Sequence, residues 1–300
     1  MSAAIRAMGL YKKFRKTQVL NGLNLEVPEG SVYALIGANG AGKTTTIKIL
    51  MNFIQASGGK AEVLGVDSLK IGPDDLARIG YVSENQEMPD WMTVDYLLRY
   101  LKPFYPKWDD ARADELIRLF NLPRDRKLGH LSRGMRMKVA LISSLTYHPR
   151  LLIMDEPFSG LDPVMRDDLI AGMIESANET TILLSSHDLA DIESFASHIG
   201  FLADGRLLFS EEMSALTTRF REIEVTLASP SKTWEAQWPR HWMTAQTTNL
   251  LARFVETRYD AERTTGEIAS VFGEVRNISV NSMPLRSIFL ALARSESKVN

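Results

Sequence analysis

Gly37-Ala38-Asn39-Gly40-Ala41-Gly42-Lys43-Thr44 lies between two apolar runs of different period. Ahead of it, residues 32–36 read Val-Tyr-Ala-Leu-Ile, a short unbroken run that predicts a buried strand. Behind it, residues 45–53 carry Ile47, Leu50 and Met51 at helical spacing. A strand, a glycine-rich turn and a helix form the context in which such a stretch cradles phosphate. Gly37, Gly40 and Gly42, with Asn39 and Ala41 between them, let the backbone curl so that successive N–H groups face an anion. The helix beginning at Lys43, Thr44 and Thr45 adds its dipole and its unpaired N–H groups. Lys43 is placed to reach the β- and γ-phosphates, and the Thr44 hydroxyl to help hold Mg²⁺. The alternative is a tight glycine turn with a surface lysine, and the elements on both sides weigh against it.

The composition bounds what surrounds this motif. Three hundred residues suffice for one large domain or two ordinary ones, and 45% hydrophobic content supplies a sizeable core. A net charge of −2 gives no argument for nucleic acid. With no cysteine, the chain has no disulfide framework, no thiol nucleophile and no zinc–cysteine site. The first ten residues hold no long apolar run, so no secretory signal is read there. No uninterrupted apolar stretch reaches the roughly 18 residues that a membrane span needs. The expectation is a soluble or peripheral chain in the cytoplasm.

Along the chain, residues 5–14 and 18–27 read as strands joined by a basic turn. Short strands are expected at 60–64 and 79–82, around a turn at 71–73. A largely helical insert begins near Val94, broken between Pro103 and Pro106. It runs to about Gly129, or to 145 with the next helix counted. Further expectations are strands at 151–154 and 180–185 and helices at 164–177 and 189–196. A hairpin is expected around Asp204-Gly205. Alternating strand and helix argues for an α/β fold with a mostly parallel sheet. The composition shifts after Leu216. Strands at 222–227, 252–257 and 275–280 and helices at 262–272 and 285–293 then suggest a small α/β appendage. The boundaries read as 1–218 and 219–300, with residues 229–244 as a loop.

Three more segments carry chemistry. Residues 151–156, Leu-Leu-Ile-Met-Asp-Glu, form an apolar strand ending in two acids. Asp155 falls where the sheet would deliver it to Mg²⁺ beside the phosphate loop. Glu156, one residue on, is placed to polarise an attacking water. Leu131-Ser132-Arg133-Gly134-Met135 opens a helix with Ser132 as its N-cap. A strand ending at Ser186 delivers His187.

In this order and spacing, these pieces resemble the nucleotide-binding subunit of ATP-binding-cassette (ABC) transporters, over residues 2 to about 218. The pattern 283–289, Met-Pro-Leu-Arg-Ser-Ile-Phe, resembles the tail of bacterial single-cassette subunits associated with exporters. The resemblance implies a P-loop ATPase core with an antiparallel β subdomain and a helical insert. It implies Phe14 as the aromatic that stacks on adenine, and Glu84 at the Q-loop position that touches Mg²⁺. It implies Ser132 to Met135 as the signature sequence, Ser159, Gly160, Leu161 and Asp162 as the D-loop, and His187 as the γ-phosphate sensor. A signature acts on nucleotide held by another subunit, so ATP, Mg²⁺, a second ATPase subunit and a separate transmembrane permease are implied together. The chain would then sit on the cytoplasmic face of the membrane.

Three positions depart from the family pattern, one of them Met135, which stands where Gln is usual. Arg133 stands where Gly is usual and adds charge near the phosphates. Glu84 stands where Gln is usual, and Gln86 is the rival for that place. Phe14 has a second reading as a strand residue packed on the core. Trp91 reads equally as a partner contact or a local core residue. Trp234, Trp238 and Trp242 recur at spacing four, one face if that segment were helical. The competing class is a soluble ABC ATPase acting on nucleic acid or the ribosome. Such members carry two cassettes or a long coiled coil, and this chain has one cassette and no sustained heptads.

Overall fold

The computed structural model describes residues 2–177, 180–229 and 238–296. Strands β1 (Ala3–Phe14) and β2 (Thr17–Pro28) pair antiparallel. Their alternation sends Ile5, Ala7 and Leu10 of one, and Leu23, Leu25 and Val27 of the other, into the core. Strand β3 (Val32–Ile36) is buried at every residue and leads through the glycine loop into α1 (Lys43–Leu50). Next come β4 (Gly58–Val63), β5 (Val66–Asp67), the short α2 (Pro73–Leu76) and β6 (Ile79–Ser83). Pro73 at the start of α2 supplies a fixed φ where no N–H is needed, so the expected turn closes as one helical turn.

The helical insert follows. It contains α3 (Val94–Leu101), α4 (Asp110–Leu119) and α5 (Arg133–Leu145). Each is capped by a side-chain oxygen at its N-cap, from Thr93, Asp109 and Ser132 respectively. Then come β7 (Leu151–Asp155), α6 (Pro163–Ser176), β8 (Thr181–Ser186), β9 (His198–Ala203) and β10 (Arg206–Glu212). Strands β9 and β10 join at Asp204 and Gly205, with φ of 47° and 72°, the two positive values that a tight hairpin requires. At Gly205 a Cβ would stand 2.3 Å from the Val19 carbonyl oxygen, so the turn also needs glycine for close approach.

These strands form two sheets. One is four-stranded, in the order β2-β1-β4-β5, and the other six-stranded, in the order β10-β9-β3-β8-β7-β6. In the second, β9, β3, β8, β7 and β6 run parallel. Burial on both faces explains their near-continuous apolar sequences. Ile47, Ile49 and Leu50 of α1 share one core with Leu35, Leu151, Ile153 and Leu183 of this sheet.

The chain divides into two compact units, Met1–Ser210 and Glu211–Asn300. The second unit holds α7 (Met213–Arg219), β11 (Arg221–Leu227), β12 (Trp242–Thr247), β13 (Leu251–Glu256), α8 (Ala261–Phe272), β14 (Val275–Ser282) and α9 (Leu285–Glu296). Its antiparallel sheet has the order β12-β13-β11-β14. Ile223, Val225, Phe254, Ile268 and Phe272 build its core. His241, Glu256 and Glu267 converge there, but the Arg263 guanidinium lies 3.0 Å from His241 Nε2. Its positive charge makes the cluster an ion network.

Two expectations fail. Residues 189–196 are turns, with Ile192 and Glu193 bonding back to Leu189 and Ala196 to Ile192. A helix burying Leu189, Ile192 and Ala196 would turn Asp191 outward. Instead Asp191 is buried against Arg166 of α6. The second failure is the loop at 229–244, whose end is β12. Trp242 stacks on Phe254 at 3.9 Å and donates from Nε1 to Glu256 at 2.9 Å. Its spacing from the other tryptophans therefore reflects no helix face, and Trp234 lies outside the described residues.

Candidate functional site

The parallel register brings the sequence motifs to one edge. Asp155 pairs with Ser83 on one side and with Ser185 on the other, and Ser186 pairs with Ile36. The glycine loop, Glu84, Asp155-Glu156 and His187 therefore all leave the sheet at its carboxyl end. In open α/β sheets this is where ligands bind.

The glycine loop is closely wound. Gly40 and Gly42 adopt φ of 85° and 111°, values that L side chains resist. A Cβ at Gly37 would stand 2.3 Å from the Leu202 carbonyl oxygen. Asn39 and Gly40 are exposed at the loop's tip, whereas Ala41, Gly42 and Lys43 are buried. The Lys43 ammonium donates to the Gly37 carbonyl at 2.6 Å and pairs with Glu156 Oε1 at 3.0 Å. It thus sits inside the curl that its own backbone makes. The loop fits a phosphate chain: a tight curl, a cation within it and a helix N-terminus behind.

The acids are fixed by their neighbours. Thr44, the exposed second residue of α1, donates from Oγ1 to Asp155 Oδ1 at 3.0 Å. Ser185 donates to the same oxygen at 2.7 Å and accepts from the Glu156 N–H at 2.9 Å. Glu156, with φ of 52°, has its second oxygen 2.7 Å from His187 Nδ1. Its carboxylate thus spans Lys43 and His187. Hard oxygens from Thr44 and Asp155 suit Mg²⁺. A carboxylate held between an ammonium and an imidazole can orient a water and take its proton.

Ser185 was not legible as a site residue, since a serine within an apolar strand reads as strand. Its ladder partner is Asp155, and its hydroxyl also accepts from the N–H of Glu156, the next residue along. Ser185→Ala is expected to lower ATP turnover about ten- to a hundredfold. Hydrogen bonds to charged groups contribute about 1.5–3 kcal/mol, and each 1.36 kcal/mol is tenfold in rate. Steady-state phosphate release checks this, and an unchanged rate would remove Ser185 from the positioning set.

The remaining residues fall as follows. Phe14 is 44% exposed at the end of β1, with Lys12 Nζ 4.7 Å above its ring, so it is not a core residue. Glu84 donates its N–H to the Asp155 carbonyl at 3.0 Å, while Gln86 turns back to the Ser83 N–H. Glu84, not Gln86, therefore borders the acids. Its side chain turns to Arg133 and to Ser159. Ser132 accepts from the Met135 N–H, and Gly134 packs on Met165, where a Cβ would stand 3.0 Å from Cγ. Ser159, Gly160 and Leu161 make a turn, and Asp162 caps α6 by accepting from the Met165 N–H. Trp91 is 63% exposed and leans on Tyr96, so it does not form a local core. Near His187, burial holds the Asp191 carboxyl above the usual carboxylate range, opposed by Arg166.

The ABC transporter family profile matches residues 20–159. The chain is 33% identical to the ABC transporter ATP-binding protein YtrB of Bacillus subtilis, over 72% of this chain and 74% of that protein. It is 31% identical to the daunorubicin/doxorubicin resistance ATP-binding protein DrrA of Streptomyces peucetius, over 96% and 92% of the two. A solved structure of an ATP-binding subunit of an ABC transporter matches with a TM-score of 0.65 at 28% identity. That match covers 72% of this chain and 92% of the other.

Proposed function

The chain belongs to the ABC transporter family, as an ATP-hydrolysing subunit that drives transport through a permease, and from that premise we propose how its residues divide the work. The convergence of Lys43, Thr44, Asp155, Glu156 and His187 at one sheet edge supports the division. Lys43 exchanges Glu156 for phosphate oxygens when ATP occupies the glycine loop, together with the N–H groups from Gly37 to Thr45. Thr44 and Asp155 hold Mg²⁺, which when bound neutralises charge on the transferring phosphoryl group. Glu156 orients the attacking water and takes its proton, with Ser185 and His187 fixing its two ends. His187 is the contact to the γ-phosphate. Phe14 stacks on adenine from the exposed end of β1.

Ser132 and Gly134, at the head of α5, act on nucleotide held by a second subunit, across a seam that includes Ser159 to Asp162. No helix among the described residues is long and apolar enough to cross a membrane. The permease is then a separate chain, and this subunit rests on the membrane's cytoplasmic face. DrrA, named for drug resistance, matches along nearly its whole length, which favours export over uptake. The C-terminal unit is an accessory domain of that exporter type. The rival class, an ATPase acting on nucleic acid, gains nothing from relatives that are transporter subunits.

Mixing two defective chains tests the shared site. A Ser132→Ala chain and a Lys43→Ala chain, each inactive alone, form heterodimers with one intact site and one doubly broken site. With free exchange and independently firing sites, an equal mixture should recover about a quarter of the parent ATPase rate. A site built within one chain gives no recovery at any mixing ratio.

A further inference from the structure

Two of the three departures from the family pattern, Glu84 and Arg133, meet in space. Arg133 donates from its guanidinium to Glu84 Oε1, and the Ser159 hydroxyl donates to the same oxygen at 3.0 Å. The three residues come from three segments: the loop after β6, the first residue of α5 and the loop after β7. Arg133 also lies across Gly160, where a Cβ would stand 2.9 Å from its Nη1. The backbone under Glu84 is tied as well, its N–H donating to the Asp155 carbonyl. One carboxylate oxygen thus receives two donors, one from α5 and one from the loop after β7.

The charges at 84 and 133 cancel each other. Arg133 therefore adds no net charge to the phosphate end of the sheet, and the Glu84 carboxylate is committed to a guanidinium. We propose that Glu84 and Arg133 act as one positioning pair, with Ser159 as third member, that fixes the head of α5 against the loop following β7. This rests on the reading of the site given above, in which Ser132 and Gly134 at that head serve a second subunit. The physical need is orientation. A helix N-terminus stabilises charge only over its first turn, so its aim decides its effect. Glycine and an amide at these positions would leave the head of α5 and the loop after β6, to which Ser159 also bonds, unlinked by charge. A charge-assisted hydrogen bond from guanidinium to carboxylate makes the link directional.

The test is a double-mutant cycle in the purified chain of residues 1–300, with Glu84→Ala, Arg133→Ala and both together. Three readouts are taken: kcat for ATP, affinity for a fluorescent ATP analogue, and the Mg²⁺ concentration for half-maximal rate. Each single variant is expected to lose kcat about tenfold with analogue affinity unchanged, and the double variant to lose no more than the worse single. Losses that multiply in the double variant overturn the pair. So do singles with parental kcat, or a Mg²⁺ shift confined to Glu84→Ala, which would make Glu84 a metal ligand. The charge-swapped chain Glu84→Arg/Arg133→Glu guards against misfolded alanine variants. It should recover at least half of the kcat lost by Glu84→Arg alone, and no recovery counts against the pair. The mixture of Ser132→Ala and Lys43→Ala chains, assayed in parallel, isolates the premise: if no turnover returns at any ratio, the shared-site reading fails, whatever the cycle gives.

Discussion

Glu156→Gln should bind ATP at least as tightly as the parent chain and hydrolyse it roughly 10²- to 10⁴-fold more slowly, the usual contribution of a positioned acid–base group. Glutamine keeps the length and shape of the side chain. Its backbone N–H still finds Ser185 Oγ, which accepts from residue 156 at 2.9 Å. What disappears is basicity, since an amide takes no proton from water. The carboxylate charge 3.0 Å from Lys43 disappears too. The ammonium then has one fewer competitor for phosphate oxygens, so affinity holds or rises. Unhydrolysed ATP would keep two subunits together, and gel filtration with ATP and Mg²⁺ should show a dimer peak. Single-turnover phosphate release gives the rate. A variant hydrolysing at the parent rate places the base at another residue.

Lys43→Ala is expected to weaken ATP binding by about ten- to a hundredfold or more, since charge-assisted hydrogen bonds contribute about 1.5–3 kcal/mol each. Turnover should fall to background. The loss has two parts. One is the missing contact to phosphate. The other is local, because Lys43 is 5% exposed and donates to the Gly37 carbonyl, which then lacks its partner inside the loop. Glu156, 14% exposed, also loses its cation and faces the incoming phosphates as a bare like charge. Equilibrium titration with a fluorescent ATP analogue measures the effect, and a thermal melt separates lost binding from lost folding. Unchanged affinity in a folded variant would remove the phosphate-loop assignment.

Much of the site was legible because its parts are local. The glycine loop is set by eight consecutive residues and the elements beside them. Asp155 and Glu156 announce themselves by ending an apolar strand, and a parallel sheet brings such strand ends to one edge without further information. What was not legible depends on partners far along the chain. Ser185 earns its place only through the ladder that sets it opposite Asp155. Arg133 and Glu84 are 49 positions apart, and each alone reads as an odd substitution. Residues 189–196 have a helical period but spend Asp191 inward on Arg166, a tertiary pairing that overrides the pattern. Trp242 sat in a stretch rich in Trp and Pro, and only the neighbouring strand β13 makes it part of a sheet.

The left-handed backbone at Glu156, φ 52°, has an evolutionary reading. Among L residues, asparagine and aspartate enter that region most readily, and glycine enters it freely. Selection for folding alone would therefore favour one of those three at position 156. Asparagine and aspartate would ease the turn, but their side chains are one methylene shorter. They would fall short of the span that links Lys43 and His187. On the proposed role of Glu156 as the base, a glutamate held in this conformation is a local sacrifice of stability to chemistry, of the kind that makes active sites the least optimised part of a fold. Lineages of this chain that abandon hydrolysis are released from that compromise. Drift toward smaller residues at 156, with the apolar strand before it intact, is the signature they would leave.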